Sequence, residues 1–154
     1  MNAEDFTTAI HYYRRSLQRH PDDVKTMSGL LFCYIQTGDH ARVAELAEAI
    51  LQLDPFNFDA WMAKGNCLGE KELYAEAIDA YDYASAIAPD EPDALVMKAR
   101  CLDATDQHED AIKTLLEATE KAEGDQKSAI YIVLAGLLHE QKRDDEARDA
   151  CWQS

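Results

Sequence analysis

The side chains in this 154-residue chain that could do chemistry are four cysteines, five histidines and thirty carboxylates. Cys33, Cys67 and Cys101 stand at intervals of 34 residues. None has a Cys-x-x-Cys partner or a nearby histidine pair, which a zinc or redox site would need. An even spacing of this kind marks one recurring place in a repeated unit. The three are read as small buried hydrophobes, in a chain that keeps its thiols in a reducing compartment. Cys151 lies off this spacing, near the C-terminal end, and is expected to be a partly exposed thiol.

The histidines (11, 20, 40, 108 and 139) show no His-x3-His ligand spacing. His40 and His108 are twice 34 residues apart, so they too share a place in the repeat and are read as structural. The acidic clusters Asp22-Asp23, Asp90-Glu91-Asp93 and Asp144-Asp145-Glu146 fall at turns and helix starts, where the positive end of the helix dipole favours carboxylates. The chain has no glycine-rich phosphate loop, nucleophile elbow or calcium loop. The expectation is a protein without catalytic residues, metal or cofactor.

A formal charge of −15 and a pI near 4.5 argue against nucleic acid or an anionic membrane as partner, since both are polyanions. They favour a protein partner that is apolar or basic. Residues 1–17 hold Glu4, Asp5, His11, Arg14 and Arg15 and so do not form an apolar signal core. No apolar run is long enough to span a bilayer. Together with the thiols, these features predict a cytoplasmic protein.

The elements that position these residues follow from punctuation. Pro21, Pro55 and Pro89 also stand 34 residues apart, each after a helical apolar pattern that it ends. No Val/Ile/Thr alternation suggests a sheet, so the chain is read as all-α. Between Trp61 and Pro89 the residues Trp61, Gly65, Leu68, Ala77, Tyr81, Ala84 and Pro89 sit at the offsets of one helical hairpin. This stretch resembles the tetratricopeptide repeat (TPR), whose pattern runs W-x2-L-G-x2-Y, then A-x3-F, then P.

The resemblance extends over the whole chain and implies a right-handed α-α superhelix (solenoid) of stacked hairpins in a single domain, 1–154. Residues 1–23 read as a half repeat, with Ala9, Tyr13 and Ser16 matching a second helix alone. Complete units follow at 24–57, 58–91 and 92–127. In the first of these, Val43, Ala47 and Ile50 redistribute the usual core volume. The last unit, 128–154, is expected to be a slightly truncated hairpin with Tyr131, Leu134, Ala135, Leu138, Ala147 and Cys151 at the matching places. That makes nine helices. Phe56 and Phe58 are expected to pack the joint between repeats.

In the family, first helices line a groove that holds an extended peptide or a partner helix. Carried over by position, the resemblance implies Lys25, Ser28, Phe32, Ile35 and Gln36 from one unit and Met62, Asn66 and Glu70 from the next. Val96, Arg100 and Asp103 follow, then Ile132, Gly136 and His139. This face mixes apolar residues with few charges. The clamp that some members use to grip the C-terminal carboxylate of chaperones is missing, because its places hold Ser28/Phe32, Ala63 and Asp93/Met97.

The expected function is therefore a non-catalytic interaction scaffold or adaptor that takes a peptide or helix in this groove. The alternatives are a dedicated chaperone of the secretion type and the TPR arm of a larger enzyme such as a glycosyl- or methyltransferase. Self-association through exposed terminal helices is a further expectation.

Overall fold

A computed structural model describes the backbone of residues 3–152 and the side chains of residues 4–142 and of residue 145. The described residues form eight helices and no strand. These are α1 (Ala3–Arg19), α2 (Val24–Thr37), α3 (His40–Leu53), α4 (Phe58–Glu70), α5 (Tyr74–Ile87), α6 (Asp93–Ala104), α7 (His108–Lys121) and α8 (Gly124–Trp152). The chain divides into two compact units, Met1–Ile87 and Ala88–Ser154. In a repeat protein each hairpin touches only its neighbours, so contacts stay local.

In the first unit α1 packs on α2, α2 on α3, α3 on α4 and α4 on α5. Two of these helices are started by side chains placed for the purpose. The Asp39 carboxylate accepts from the Arg42 amide at 3.3 Å to open α3. The Asn57 side chain accepts from the Ala60 amide at 3.0 Å to open α4. Each supplies a partner to an amide that the first turn leaves free. The Trp61 indole N–H reaches back 2.8 Å to the Pro55 carbonyl, pinning the loop after α3 to the helix that follows it.

The hairpin turns recur with the repeat. Gly38, Glu72 and Asp106 all have positive φ, at 72°, 60° and 61°. In each, the amide of the next residue bonds the carbonyl five positions back: Asp39 to Tyr34, Leu73 to Leu68 and Gln107 to Leu102. This is the helix-ending Schellman arrangement, which glycine adopts without strain and other residues at a cost. Glu72→Gly is therefore expected to stabilise the first unit by about 0.5–1 kcal/mol, read as a higher thermal midpoint. A lower midpoint would mean the αL turn at Glu72 is not strained.

The core of the first unit is built as the register requires. Met27, Leu31, Val43, Ala47, Ile50, Ala77, Tyr81 and Ala84 are all buried. Gly65 faces Tyr81 so closely that a Cβ there would lie 2.6 Å from the ring. Phe58 is half-buried, but Phe56 is 78% exposed and does not pack the joint between repeats. It follows Pro55 in a turn that directs it outward, while its amide bonds the Asp54 carboxylate at 3.2 Å.

In the second unit α6 packs on α7 and α7 on α8. Leu95, Ala99, Leu102, Ala111, Leu115 and Ala118 are buried as expected. The last unit departs from expectation. It begins at Gly124 rather than near Ser128, and it is one continuous 29-residue helix rather than a hairpin. Residues 139–146, where a turn would fall, contain no glycine or proline, and most are good helix formers. The buried stripe of α8 runs through Ile130 and Leu134, with Leu137 and Gln141 half-buried. Tyr131, Ala135 and Leu138 are exposed instead of packed, because no second helix folds back over them within the described residues. Ala147 and Cys151 lie outside the described side chains.

Candidate peptide-binding faces on the first helices

The three described cysteines are buried, with 3%, 7% and 6% of Cys33, Cys67 and Cys101 accessible. Burial pushes each thiol above its usual range, so each stays protonated and unreactive. Cys67 donates a long hydrogen bond, 3.8 Å, to the His40 carbonyl. Among the described residues no group of three or more His, Cys, Asp or Glu side chains could hold a metal ion.

His40 and His108 each hold a carboxylate from a first helix. His40 Nδ1 lies 2.8 Å from Glu70 Oε2 and so ties the start of α3 to the end of α4. His108 Nδ1 lies 2.8 Å from Asp103 Oδ1 and ties α7 to α6 within one hairpin. Two of the groove positions assigned from sequence, Glu70 and Asp103, thus already spend a carboxylate oxygen inside the protein. Asn66 is a third: its side-chain oxygen accepts from the Tyr81 hydroxyl at 2.7 Å, while the residue remains exposed. Its amide N–H groups take no part in that bond. Register places these side chains, but only the folded helices show which of their polar atoms remain available.

In the first unit the assigned positions lie on two touching helices. Lys25, Ser28, Phe32, Ile35 and Gln36 lie at helical spacing on α2, and Met62, Asn66 and Glu70 do so on α4. Phe32 is 54% exposed and Ile35 44% exposed, while Met62 and Ser28 are half-buried. The Phe32 ring lies 6.3 Å from that of Phe6 on α1, tilted by 58°. Phe6 thus extends the apolar strip, and sequence reasoning had not placed it there. Its signal was available, since it opens the half repeat one turn before the half-buried Ile10, Tyr13 and Leu17 of α1. Around the apolar strip stand Lys25, Gln36, Asn66 and Glu70, all exposed.

In the second unit Val96, Arg100 and Asp103 occupy one face of α6, and Ile132, Gly136 and His139 lie on α8. The Gln126 side-chain amide donates to Asp93 at 2.9 Å, joining the starts of these two helices. Ile132 is 74% exposed, His139 and Arg100 are exposed, and Val96 is half-buried. A Cβ on Gly136 would meet nothing within 4 Å, so its surface is open. Tyr131, Val133 and Leu138 add exposed apolar area to the same helix.

A model of the tetratricopeptide repeat matches residues 1–67 and 70–128, most of the chain. The chain belongs to the tetratricopeptide repeat family. Among curated proteins it is 28% identical over 78 residues to the human "Protein SGT1 homolog", covering 51% of this chain and 21% of that one. It is 26% identical over 89 residues to the "Small glutamine-rich tetratricopeptide repeat-containing protein 2" of Mycosarcoma maydis, covering 58% and 25%. The matched part is a quarter or less of the length of these relatives.

Solved structures of similar shape include MamA, with a TM-score of 0.70 at 20% identity over 93% of this chain and 92% of that one. The Yersinia enterocolitica type III secretion chaperone SycD, in complex with a peptide of the translocator YopD, has a TM-score of 0.71 at 20% identity, covering 78% and 95%. PcrH, in complex with the chaperone binding region of PopD, gives 0.72 at 18%, covering 79% and 95%. At such identities the likeness is one of TPR fold.

Proposed function

We propose that this TPR chain is a non-catalytic binding module that holds an apolar or amphipathic segment of a protein partner on its first helices. The observation that carries this reading is the exposed pair Phe32 and Ile35 on α2, flanked by half-buried Phe6 on α1, with half-buried Met62 on the touching helix α4. Large apolar side chains left open on rigid helices, rimmed by polar groups, suit an amphipathic helix or extended peptide. The folds of SycD, solved with a peptide of the translocator YopD, and of PcrH, solved with the chaperone binding region of PopD, support a peptide or segment as the ligand class. They also favour a second reading, that of a dedicated chaperone for a secreted client, over that of an arm of a larger enzyme. The buried thiols suit a reducing, cytoplasmic setting.

The test is capture of partners from a cell extract with immobilised protein and with its Phe32→Glu variant, followed by titration of a captured partner. A buried charge opposite an apolar ligand is expected to weaken binding at least about tenfold, or 1.4 kcal/mol. Phe56→Glu, which alters a more exposed ring outside the strip, should leave binding unchanged. Equal capture by wild type and Phe32→Glu would remove the proposal. A partner that stays insoluble unless co-produced with this chain would select the chaperone reading.

A further inference from the structure

Although the chain carries twice as many carboxylates as lysines and arginines, residues 6–21 contain three arginines, two histidines and no carboxylate. The fold concentrates this stretch further. A cavity of about 840 Å³ opens between α1 and the α2–α3 turn, lined among others by His11, Arg14, Arg15, Tyr34 and Arg42. Arg42 comes from α3, so the cluster exists only in the folded unit. Asp39 is the one carboxylate in the lining, and it is already engaged, 3.4 Å from the Arg42 guanidinium and capping α3. The Arg42 guanidinium also lies 5.5 Å from the centre of the Tyr34 ring, which fixes its position. Arg15 lines a second hollow of about 360 Å³ as well, with Arg19 and His20, and no carboxylate lines that one. Among the described residues Arg14, Arg15 and Arg19 form no ion pair.

We propose that this cavity and the adjoining hollow form a second binding site, for an acidic segment of a protein partner. Guanidinium groups match carboxylates in paired, planar hydrogen bonds, and three of them on facing helices can grip successive acidic side chains. The charge of −15 on the chain does not prevent this, because at physiological salt fields fade over about 8 Å and the local arginines dominate at contact. The same overall charge disfavours a long polyanion such as nucleic acid, whose many phosphates would extend over the acidic remainder. A short acidic peptide avoids that repulsion. The site shares no residue with the apolar strip on α2 and α4, so the two can be occupied by different segments.

The probe is a fluorescein-labelled hexaglutamate peptide, followed by anisotropy with the whole chain at about 0.15 M and about 0.5 M salt. Binding is expected at low salt and should be lost at high salt. The double substitution Arg14→Glu with Arg15→Glu should weaken it at least tenfold, and the milder Arg14→Gln with Arg15→Gln less so. Both arginines are exposed, so circular dichroism should show each variant folded. Lys113→Glu, also exposed but on α7 in the second unit, should bind as wild type. Loss of hexaglutamate binding in Lys113→Glu to the same degree would overturn the site. So would an absence of binding at low salt, equal binding by the double variant, or tighter binding of a single-stranded oligonucleotide than of the peptide.

Discussion

Gly65→Val is expected to destabilise the first unit by about 3 kcal/mol, through overpacking. The glycine lies on α4 opposite Tyr81 of the same hairpin, and an added Cβ would lie 2.6 Å from Cε1 and 2.8 Å from Cζ of that ring. The ring cannot swing aside. Tyr81 is 1% exposed, and its hydroxyl is held 2.7 Å from Asn66. Valine recovers only a few tenths of a kcal/mol in helix propensity over glycine, far less than the clash costs. The contrasting substitution is Gly136→Ala. Its Cβ would enter open space in the middle of α8, so it should gain up to about 1 kcal/mol from the reduced freedom of the unfolded chain. Thermal denaturation of the two variants should therefore move in opposite directions. A Gly65→Val midpoint equal to wild type would show that α4 and α5 do not meet at this point.

Leu115→Ala should cost the second unit about 2–5 kcal/mol, by losing transfer free energy and leaving a cavity. Leu115 is fully buried at the centre of α7, which is packed by α6 on one side and α8 on the other. The neighbouring Leu116 is 47% exposed, and its replacement by alanine should change stability by no more than about 0.5 kcal/mol. The pair is decisive because the two side chains are chemically identical and adjacent, differing only in the face they occupy. Urea unfolding is the measurement. A lower midpoint at unchanged slope for Leu115→Ala alone is the expected result. Equal losses in both variants would mean that α7 presents a different face to its neighbours.

The candidate site was legible in its positions and not in its chemistry. A 34-residue period with hairpin punctuation assigns a residue to a helix face, and Phe32, Ile35 and Ile132 duly stand exposed on theirs. Periodicity says nothing of which polar atoms are already engaged. Glu70 and Asp103 look like free acids in the sequence, but His40 and His108 hold them. The basic cavity was invisible for a related reason: the run from Phe6 to Pro21 reads as a helix with scattered charges until Arg42 is brought opposite it.

The sequence by itself determined the repeat. Proline spacing stops each helix, small residues such as Gly65 and Ala77 set the close approaches, and the apolar positions at helical spacing select the buried faces. These are local rules, and they agree with one another along most of the chain. The tertiary structure decided the rest. Glu72 and Asp106 adopt left-handed turns that neither residue favours, because the packing of the two helices on either side outweighs a strain of roughly 1 kcal/mol. Where that packing is absent the outcome reverses. Beyond Leu138 no returning helix covers α8 among the described residues, nothing there offsets the strain of a turn, and good helix formers continue as one helix. Tyr131, Ala135 and Leu138, which matched the pattern of a hairpin there, are left as an open apolar face. Whether a TPR pattern folds back depends on packing against neighbouring helices, and single-residue preferences do not encode it.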